Sequence, residues 1–241
     1  MTISEQPMII AVINNKGGVG KTTTTVHVGY ALAQQSKRVL CVDMDGQANL
    51  LMHLFSLDTV YEMKDAMKEA KGIGEPTVLH HPAGFDVLPL SFHVLTQKQY
   101  AARIESFAKM YDVVLVDCPP SLETRTLGAL DAATAVLIPT EAESLSFNGL
   151  TSLIEMAEER KLAVIGIVVT RFEKKKAAHN FYLPLIAKEF RSLFSGAVIP
   201  NSAVFPSASA MQRVGYEWNG KKASPALDEY TKLATKIGAM V

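Results

Sequence analysis

Apolar residues along this chain fall into short continuous runs that alternate with longer stretches in which they recur every three or four positions. The run at 113–116 is apolar throughout, which is typical of a parallel strand with helices packed on both faces. The longer stretches have the spacing of amphipathic helices. The alternation predicts an α/β fold, a doubly wound and mostly parallel sheet with helices on both faces. Strands are predicted near 8–13, 38–43, 85–89, 112–117, 134–138, 163–169 and 196–199, and helices near 22–35, 60–70, 94–110, 123–130, 145–160, 178–192 and 226–239.

Length and composition predict a single domain over residues 1–241. The 241 residues, 48% of them hydrophobic, suffice for one sizeable core, and no internal repeat, low-complexity tract or linker interrupts them. The segment at 72–76, which contains glycine and proline, predicts a turn rather than a domain boundary. The formal net charge is zero, so no overall field draws the chain to nucleic acid or to a membrane. Any contact with DNA therefore requires a local basic patch.

Cysteine usage and the first residues favour a cytoplasmic location. The two cysteines, Cys41 and Cys118, lie in apolar runs and suggest reduced thiols rather than a disulfide framework. Residues 1–7 lack the basic and apolar regions of a signal peptide, and apolar stretches such as 163–169 are too short to span a bilayer. We therefore expect a soluble, cytoplasmic protein.

A glycine-rich segment, NNKGGVGKTT at 14–23, joins the first predicted strand to the first predicted helix. Glycines let the backbone curl so that its N–H groups converge on phosphate oxygens, and the helix N-terminus adds a partial positive charge. We expect Lys21 to reach the β- and γ-phosphates of ATP and the Thr22 hydroxyl to complete a Mg²⁺ shell. The alternative is a glycine-rich turn that joins strand to helix and binds no ligand. The Gly-Lys-Thr sequence at the boundary between strand and helix argues against it. The predicted phosphate-binding residues are Gly17, Gly18, Val19, Gly20, Lys21, Thr22 and Thr23.

Two other predicted strands end in acidic residues. Asp43 and Asp45 follow one apolar run, and Asp117 follows another. Because parallel strands present their carboxyl ends at one edge of a sheet, these carboxylates are expected beside the glycine-rich loop. We predict that Asp117 holds Mg²⁺, that Asp45 positions the hydrolytic water close to the metal, and that Asp43 can share either role. The alternative for each is a strand-end carboxylate that caps the following turn.

Together these segments resemble the ParA/MinD branch of the deviant Walker ATPases. KGGVGKTT at 16–23 matches the family's phosphate loop, and Asn15 stands where the strict P-loop pattern has glycine. DMDGQAN at 43–49 resembles the first switch, although Gly46 replaces the usual proline, and DCPPS at 117–121 resembles the second switch. The segment that begins with IPTE at 138–141 is similar to the family's segment at the end of the strand that comes after the second switch.

The resemblance implies a slow, partner-stimulated ATPase in which two subunits enclose ATP. Lys16 corresponds to the signature lysine that crosses to the partner's phosphates, so the implied catalytic residues are Lys16, Lys21 and Asp45. Hydrolysis then separates the dimer, and the nucleotide acts as a timer. In the family, loops similar in position to Thr170, Arg171 and Pro200 flank the adenine, so base contacts are expected there.

The family divides between members that bind DNA and members that bind membranes. ParA-like dimers bind DNA non-specifically and respond to a ParB-like activator or cargo adaptor, which implies a nucleoid-associated ATPase that segregates plasmid, chromosome or protein cargo. Many relatives have arginines after the last strand, whereas residues 201–208 read NSAVFPSA here, so we expect the DNA surface to be rebuilt from neighbouring lysines. The alternative for each basic cluster is a solvated loop or helix face. Candidate DNA contacts are Lys174, Lys175, Lys176, Arg213, Lys221 and Lys222.

The same superfamily offers two alternatives to a ParA-like function. A MinD-like, membrane-cycling regulator needs a basic amphipathic tail, but the apolar stripe of the last helix (Leu227, Tyr230, Leu233 and Ile237) is narrow and is expected to pack on its own sheet. An electron-transfer relative similar to the nitrogenase iron protein needs two cysteines per subunit at a cluster. Cys41 lies inside a predicted strand and no second exposed cysteine pairs with Cys118, so that alternative is rejected.

Overall fold

The computed structural model describes residues 6–220 and 222–241 of the chain. Within them, strands and helices alternate as β1 (Met8–Val12), α1 (Lys21–Ala33), β2 (Val39–Asp43), α2 (Asn49–Leu54), α3 (Leu57–Glu69), β3 (Leu79–His81), β4 (Phe85–Pro89), α4 (Gln97–Ala108), β5 (Val113–Asp117), α5 (Thr124–Ala132), β6 (Ala135–Thr140), α6 (Ser144–Glu159), β7 (Ala163–Phe172), α7 (Ala177–Glu189), β8 (Phe194–Pro200), α8 (Val204–Ala210), α9 (Gly215–Asn219) and α10 (Pro225–Gly238). The strands form one sheet in the order β3-β4-β2-β5-β1-β6-β7-β8. All neighbours are parallel except β3 and β4.

Both faces of the sheet are covered, which explains why its strands are apolar at successive positions. In β1, Ile9 and Ala11 belong to one hydrophobic core, whereas Ile10 and Val12 belong to the other. Helices α4, α5 and α6 supply side chains to the first core, and α1 and α10 supply side chains to the second. The predicted doubly wound α/β fold is therefore confirmed.

The register of the central strands aligns the ends that matter for chemistry. Val12 at the end of β1 pairs with Asp117 at the end of β5, and Asp117 pairs with Asp43 at the end of β2. The segment from β1 to α1 leaves the sheet at the same edge. The glycine-rich loop and both acidic strand ends are thus brought together by strand pairing alone.

Four short elements were not predicted, namely β3, α2, α8 and α9. β3 has three residues, two of them histidines, and pairs antiparallel with β4, so it carries no apolar run. α2 has six residues and begins after Ala48, which has a left-handed φ of 54°. α8 contains Pro206, and α9 begins at Gly215, so both carry residues that normally argue against a helix.

The last helix packs on the sheet, as predicted. Leu227, Tyr230, Leu233 and Ile237 of α10 are each at most 4% exposed. Tyr230, Leu233 and Ile237 belong to the core that α1 also covers. The apolar stripe of α10 is therefore occupied within the subunit. Among the helices of the described residues, none combines the length and the hydropathy that crossing a bilayer requires.

Candidate active site

The loop between β1 and α1 adopts conformations that its glycines permit. Gly18 and Gly20 have φ angles of 75° and 86°, in the left-handed region where other L-residues are strained. A Cβ on Gly20 would also lie 3.6 Å from Cβ of Thr170, so the loop passes close to β7. A loop with left-handed residues at Gly18 and Gly20 can turn successive N–H groups toward one concave side, which suits an anion.

Side chains from the neighbouring strands hold this loop in place. The Thr170 hydroxyl lies 2.7 Å from the Val19 carbonyl oxygen, to which it donates. Asn14 donates from Nδ2 to the Pro139 carbonyl at 2.8 Å and accepts the N–H of Lys16 on Oδ1 at 2.9 Å. Thr170, predicted as a base contact, therefore also supports the loop itself.

Lys21 is a largely buried cation whose bonds all go to backbone carbonyls. It is 7% exposed, and its Nζ donates to the carbonyl oxygens of Asn14 at 3.0 Å and Lys16 at 3.2 Å. Burial lowers the pKa of Lys21, while the charges of Asp117 and Asp45 act in the opposite direction. Among the described residues no carboxylate lies within ion-pair distance of its Nζ. A buried ammonium of this kind is suited to an anionic ligand.

Thr22 and Asp117 form the part of the site that fits a divalent cation. The Thr22 hydroxyl donates to Oδ2 of Asp117 at 2.7 Å, and Oδ1 of Asp117 is buried without a hydrogen-bond partner among the described residues. Burial raises the pKa of Asp117 to about 7, although the bond from Thr22 and the charge of Lys21 oppose the shift. The Thr22 hydroxyl and the Asp117 carboxylate, one oxygen of which has no partner among the described residues, match the oxygen ligands that Mg²⁺ takes, directly or through water. The residues present therefore fit Mg²⁺.

The other two aspartates differ in what they are free to do. Asp43 is fully buried, and its two oxygens accept the N–H groups of Asp45 at 3.1 Å and Leu51 at 3.0 Å. Burial, and next the charge of Asp117, raise the pKa of Asp43 well above its usual value. Its carboxylate thus caps the following turn, the alternative weighed for strand-end aspartates. Asp45 is half-buried and lines the cavity that contains Lys21 and Thr22. Its Oδ1 accepts the N–H of Gln47 at 3.0 Å, so one of its two oxygens also caps the turn.

Lys16 lies in an acidic clasp, which we define as Glu141 and Glu143 at the end of β6. Its Nζ is 2.9 Å from Oε2 of each glutamate. Partial burial lowers the pKa of Lys16, but the bonds to Glu143 and Glu141 outweigh this effect, so the pKa is raised overall. Arg171 also contacts this region, 3.0 Å from the Gly18 carbonyl oxygen and 3.4 Å from Glu141. The lysine predicted to act across a dimer is therefore paired within its own subunit.

A cavity of about 940 Å³ extends from the glycine-rich loop toward the end of β8. Thr170, Arg171 and Pro200, for which base contacts are predicted, all line it. Sequence reasoning missed several residues that line its far end, namely Asn201, Ser202, Phe205 and Ser209. It also missed the acidic clasp, because Glu141 and Glu143 lie three and five residues beyond the predicted strand at 134–138, whereas Asp117 is the last residue of its predicted strand.

The predicted DNA contacts lie in three separate connections. Lys174, Lys175 and Lys176 lie between β7 and α7 and are exposed, but Lys176 pairs with Glu173 at 3.0 Å. Arg213 lies between α8 and α9 and is exposed. Lys222, between α9 and α10, is exposed as well, and the prediction for Lys221 falls outside the described residues.

The chain is similar in sequence and in fold to known proteins. The chain matches the family model of an AAA domain over residues 7–164. It is 30% identical to the chromosome-partitioning ATPase Soj of Thermus thermophilus, with 96% of each chain covered. It is also 30% identical to the chromosome partitioning protein ParA of Caulobacter vibrioides, over 98% of this chain and 96% of that one. Its fold is similar to that of the septum site-determining protein MinD of Pyrococcus horikoshii, solved with Mg-ADP, with a TM-score of 0.77, 21% identity and 96% of both chains covered.

Proposed function

Since this chain belongs to the ParA/MinD family of P-loop ATPases, we propose that it is a Mg²⁺-dependent ATPase that dimerises around ATP and binds DNA non-specifically in that state. Hydrolysis, stimulated by a ParB-like activator or cargo adaptor, releases it. The observation that carries this proposal is the Thr22–Asp117 pair beside Lys21, with a buried carboxylate oxygen left unpaired.

Each residue of the loop has a role that follows from its position. The backbone N–H groups of residues 17–23 and the buried Lys21 ammonium bind the phosphates, because both present positive charge beside the cavity. Thr22 and Asp117 hold Mg²⁺, which neutralises phosphate charge when bound. Asp45 orients the attacking water, since it lines the cavity and the backbone occupies only its Oδ1, whereas both oxygens of Asp43 accept backbone N–H groups.

In the dimer, Lys16 leaves the acidic clasp and contacts the phosphates bound by the partner subunit. A second ammonium there offsets the charge that two nucleotides bring to the interface. The pairing of Lys16 with Glu141 and Glu143 in one subunit supports this exchange, because it provides the lysine with a resting position.

The DNA surface is formed by lysines and arginines from the connections around the end of the sheet. Lys174, Lys175, Arg213 and Lys222 are all exposed, and dimer symmetry doubles them. A protein with zero net charge requires such a local concentration of cations. Binding is therefore expected to be insensitive to base sequence and strongly sensitive to salt.

Membrane cycling is the alternative, but the burial of the α10 stripe argues against that helix as an anchor. The experiment that tests the proposal therefore also measures binding to membranes. Binding to random-sequence DNA and to anionic vesicles is measured with ATP, with ADP and without nucleotide, at two salt concentrations.

We expect DNA binding by the wild type with ATP only, weakened by salt, and no binding by Lys16→Ala. The matched control is Lys109→Ala, at an exposed lysine after α4, on the edge of the sheet away from the loop. DNA binding that ignores nucleotide in both wild type and Lys16→Ala contradicts the proposal. Binding to vesicles with ATP, without DNA binding, replaces it by the membrane alternative.

A further inference from the structure

Arg125, the second residue of α5, connects three segments at the carboxyl edge of the sheet. Its Nη1 donates to the carbonyl oxygens of Met44 at 3.1 Å and Ser91 at 2.5 Å, and its Nη2 donates to that of His93 at 3.0 Å. Met44 lies in the loop after β2, and Ser91 and His93 lie in the loop after β4. A single guanidinium therefore joins the start of α5 to both loops.

The contact with Met44 fixes the peptide unit directly before Asp45. The N–H of Met44 donates to the Asp117 carbonyl at 3.1 Å, and its carbonyl accepts from Arg125, so both polar groups of that residue are held. A Cβ on Gly46 would lie 3.5 Å from Nη1 of Arg125, an ordinary van der Waals distance, so the guanidinium also lies directly against the residue that follows Asp45.

The bonding of Arg125 shows that it anchors backbone and does not neutralise an acid. Among the described residues no carboxylate lies within ion-pair distance of its guanidinium. Its Cζ lies 5.9 Å from the ring centroid of Tyr100, whose hydroxyl donates to the same His93 carbonyl. Tyr100 is 1% exposed, so the arginine is held against a rigid surface.

We propose that Arg125 is a positioning residue for Asp45, the carboxylate assigned above to the hydrolytic water. This inference rests on the proposed function. Arg125 touches neither the glycine-rich loop nor the cavity, so its loss leaves nucleotide binding intact while the Asp45 loop moves. Small displacements of a group that orients a reactant reduce rates strongly.

The test compares Arg125→Met with the wild type in two measurements. Hydrogen–deuterium exchange without nucleotide is expected to rise at residues 44–48, since the Met44 carbonyl loses its donor. In ATP hydrolysis, kcat is expected to fall about tenfold or more while KM changes less than about threefold. Arg125→Lys is expected to recover part of kcat, because an ammonium restores some of the donors but not their fork geometry.

The matched control is Arg38→Met, at a guanidinium that bonds to Asp112 at the opposite edge of the sheet, and it is expected to change neither measurement. Where Arg125→Met does not fold, Arg125→Gln is measured in its place with the same expectations. Unchanged exchange at 44–48, or a kcat equal to that of an active wild type, overturns the inference. A wild type that hydrolyses no ATP overturns the proposed function instead.

Discussion

His27 has bonds that only the neutral imidazole can make. Its Nδ1 lies 2.7 Å from the Thr23 carbonyl oxygen, and its Nε2 accepts the N–H of Gly215 at 3.1 Å. Burial, with a smaller contribution from His53, lowers the pKa of His27 to about 3. A proton on Nε2 would break the bond that links α1 to α9. The histidines of this core are thus structural, and they make stability depend on pH.

His53→Gln isolates the contribution of one histidine to the pH dependence of the free energy of unfolding. Burial lowers the pKa of His53 to about 4 from the usual 6.5, so below pH 6.5 the unfolded state binds the proton first and stability is lost as pH falls. Asp117 and Asp43, whose pKa values are raised, act in the opposite sense, so the informative quantity is the difference between variant and wild type. Between pH 7.5 and pH 5, the free energy of unfolding of the variant is expected to gain roughly 2 kcal/mol relative to wild type. Urea titrations at the two pH values measure it; a difference that does not change with pH contradicts the assignment.

Release of Lys16 from the acidic clasp is expected to favour the dimer. In Glu141→Gln/Glu143→Gln, the monomer loses the two ion pairs that Lys16 must leave. These pairs are partly exposed and together contribute about 1 kcal/mol, so the ATP concentration for half-maximal dimerisation is expected to fall about three- to fivefold. Light scattering during ATP titration measures this. Glu155→Gln, at an exposed glutamate of α6, is the control, and a rise in the required ATP contradicts the resting-position role.

At the residue scale, motif spacing predicted the glycine-rich loop and the residues that meet beside it, but not the residues that support them. Lys21, Thr22 and Asp117 were identified because their residue types and spacing carry the chemistry. Asn14 and Arg125 were not, because their roles depend on carbonyls far away in sequence, such as Pro139 and Ser91. Contacts of that kind have no local signal.

The two ends of β5 offer a matched test of the metal site. Asp117→Asn removes the charge from the buried end, and we expect the Mg²⁺ concentration for half-maximal ATP hydrolysis to rise about 10- to 100-fold. Asp112→Asn removes the same charge at the other end, where Asp112 pairs with Arg38. This variant is expected to need the same Mg²⁺ concentration as the wild type. Steady-state rates over a Mg²⁺ titration measure both. Equal Mg²⁺ dependence in the two variants refutes the assignment of Asp117.

Two helical glycines are expected to respond in opposite ways to alanine. A Cβ on Gly128 of α5 would lie 2.7 Å from Cβ of Tyr100 and 2.8 Å from the Gln97 carbonyl oxygen, so α4 and α5 must separate. Gly128→Ala is therefore expected to lower the free energy of unfolding by about 1–3 kcal/mol. Gly149 of α6 has nothing within 4 Å of that position, so Gly149→Ala is expected to raise it by up to about 1 kcal/mol. Chemical denaturation measures both, and a stabilised Gly128→Ala contradicts the close packing of α4 on α5.

At the element scale, length decided what could be predicted. Strands such as β5 and helices such as α6 carry enough periodic positions for their pattern to be clear. β3, α2 and α9 have three, six and five residues, and tertiary contacts rather than local pattern stabilise them. β7 extends past the predicted end to Phe172, because Thr170 and Phe172 keep contacts with neighbouring segments.

In the whole molecule, one sheet edge carries the chemistry and the rest of the fold supports it. Parallel pairing places the carboxyl ends of β1, β2 and β5 side by side, and the two cores hold those strands from both faces. The clasped lysine and the exposed cations of the surrounding connections lie at or near that edge.

In the proposed dimer, ATP held by Lys21 of each subunit is enclosed by Lys16 of the other. The mass of Asp45→Ala in solution, measured by analytical ultracentrifugation, tests this arrangement, because hydrolysis is expected to be slow in that variant. We expect twice the monomer mass with Mg·ATP, the monomer mass with Mg·ADP or without nucleotide, and the monomer mass in all conditions when Lys16→Ala is added. A monomer at saturating Mg·ATP, with nucleotide shown to be bound, contradicts it.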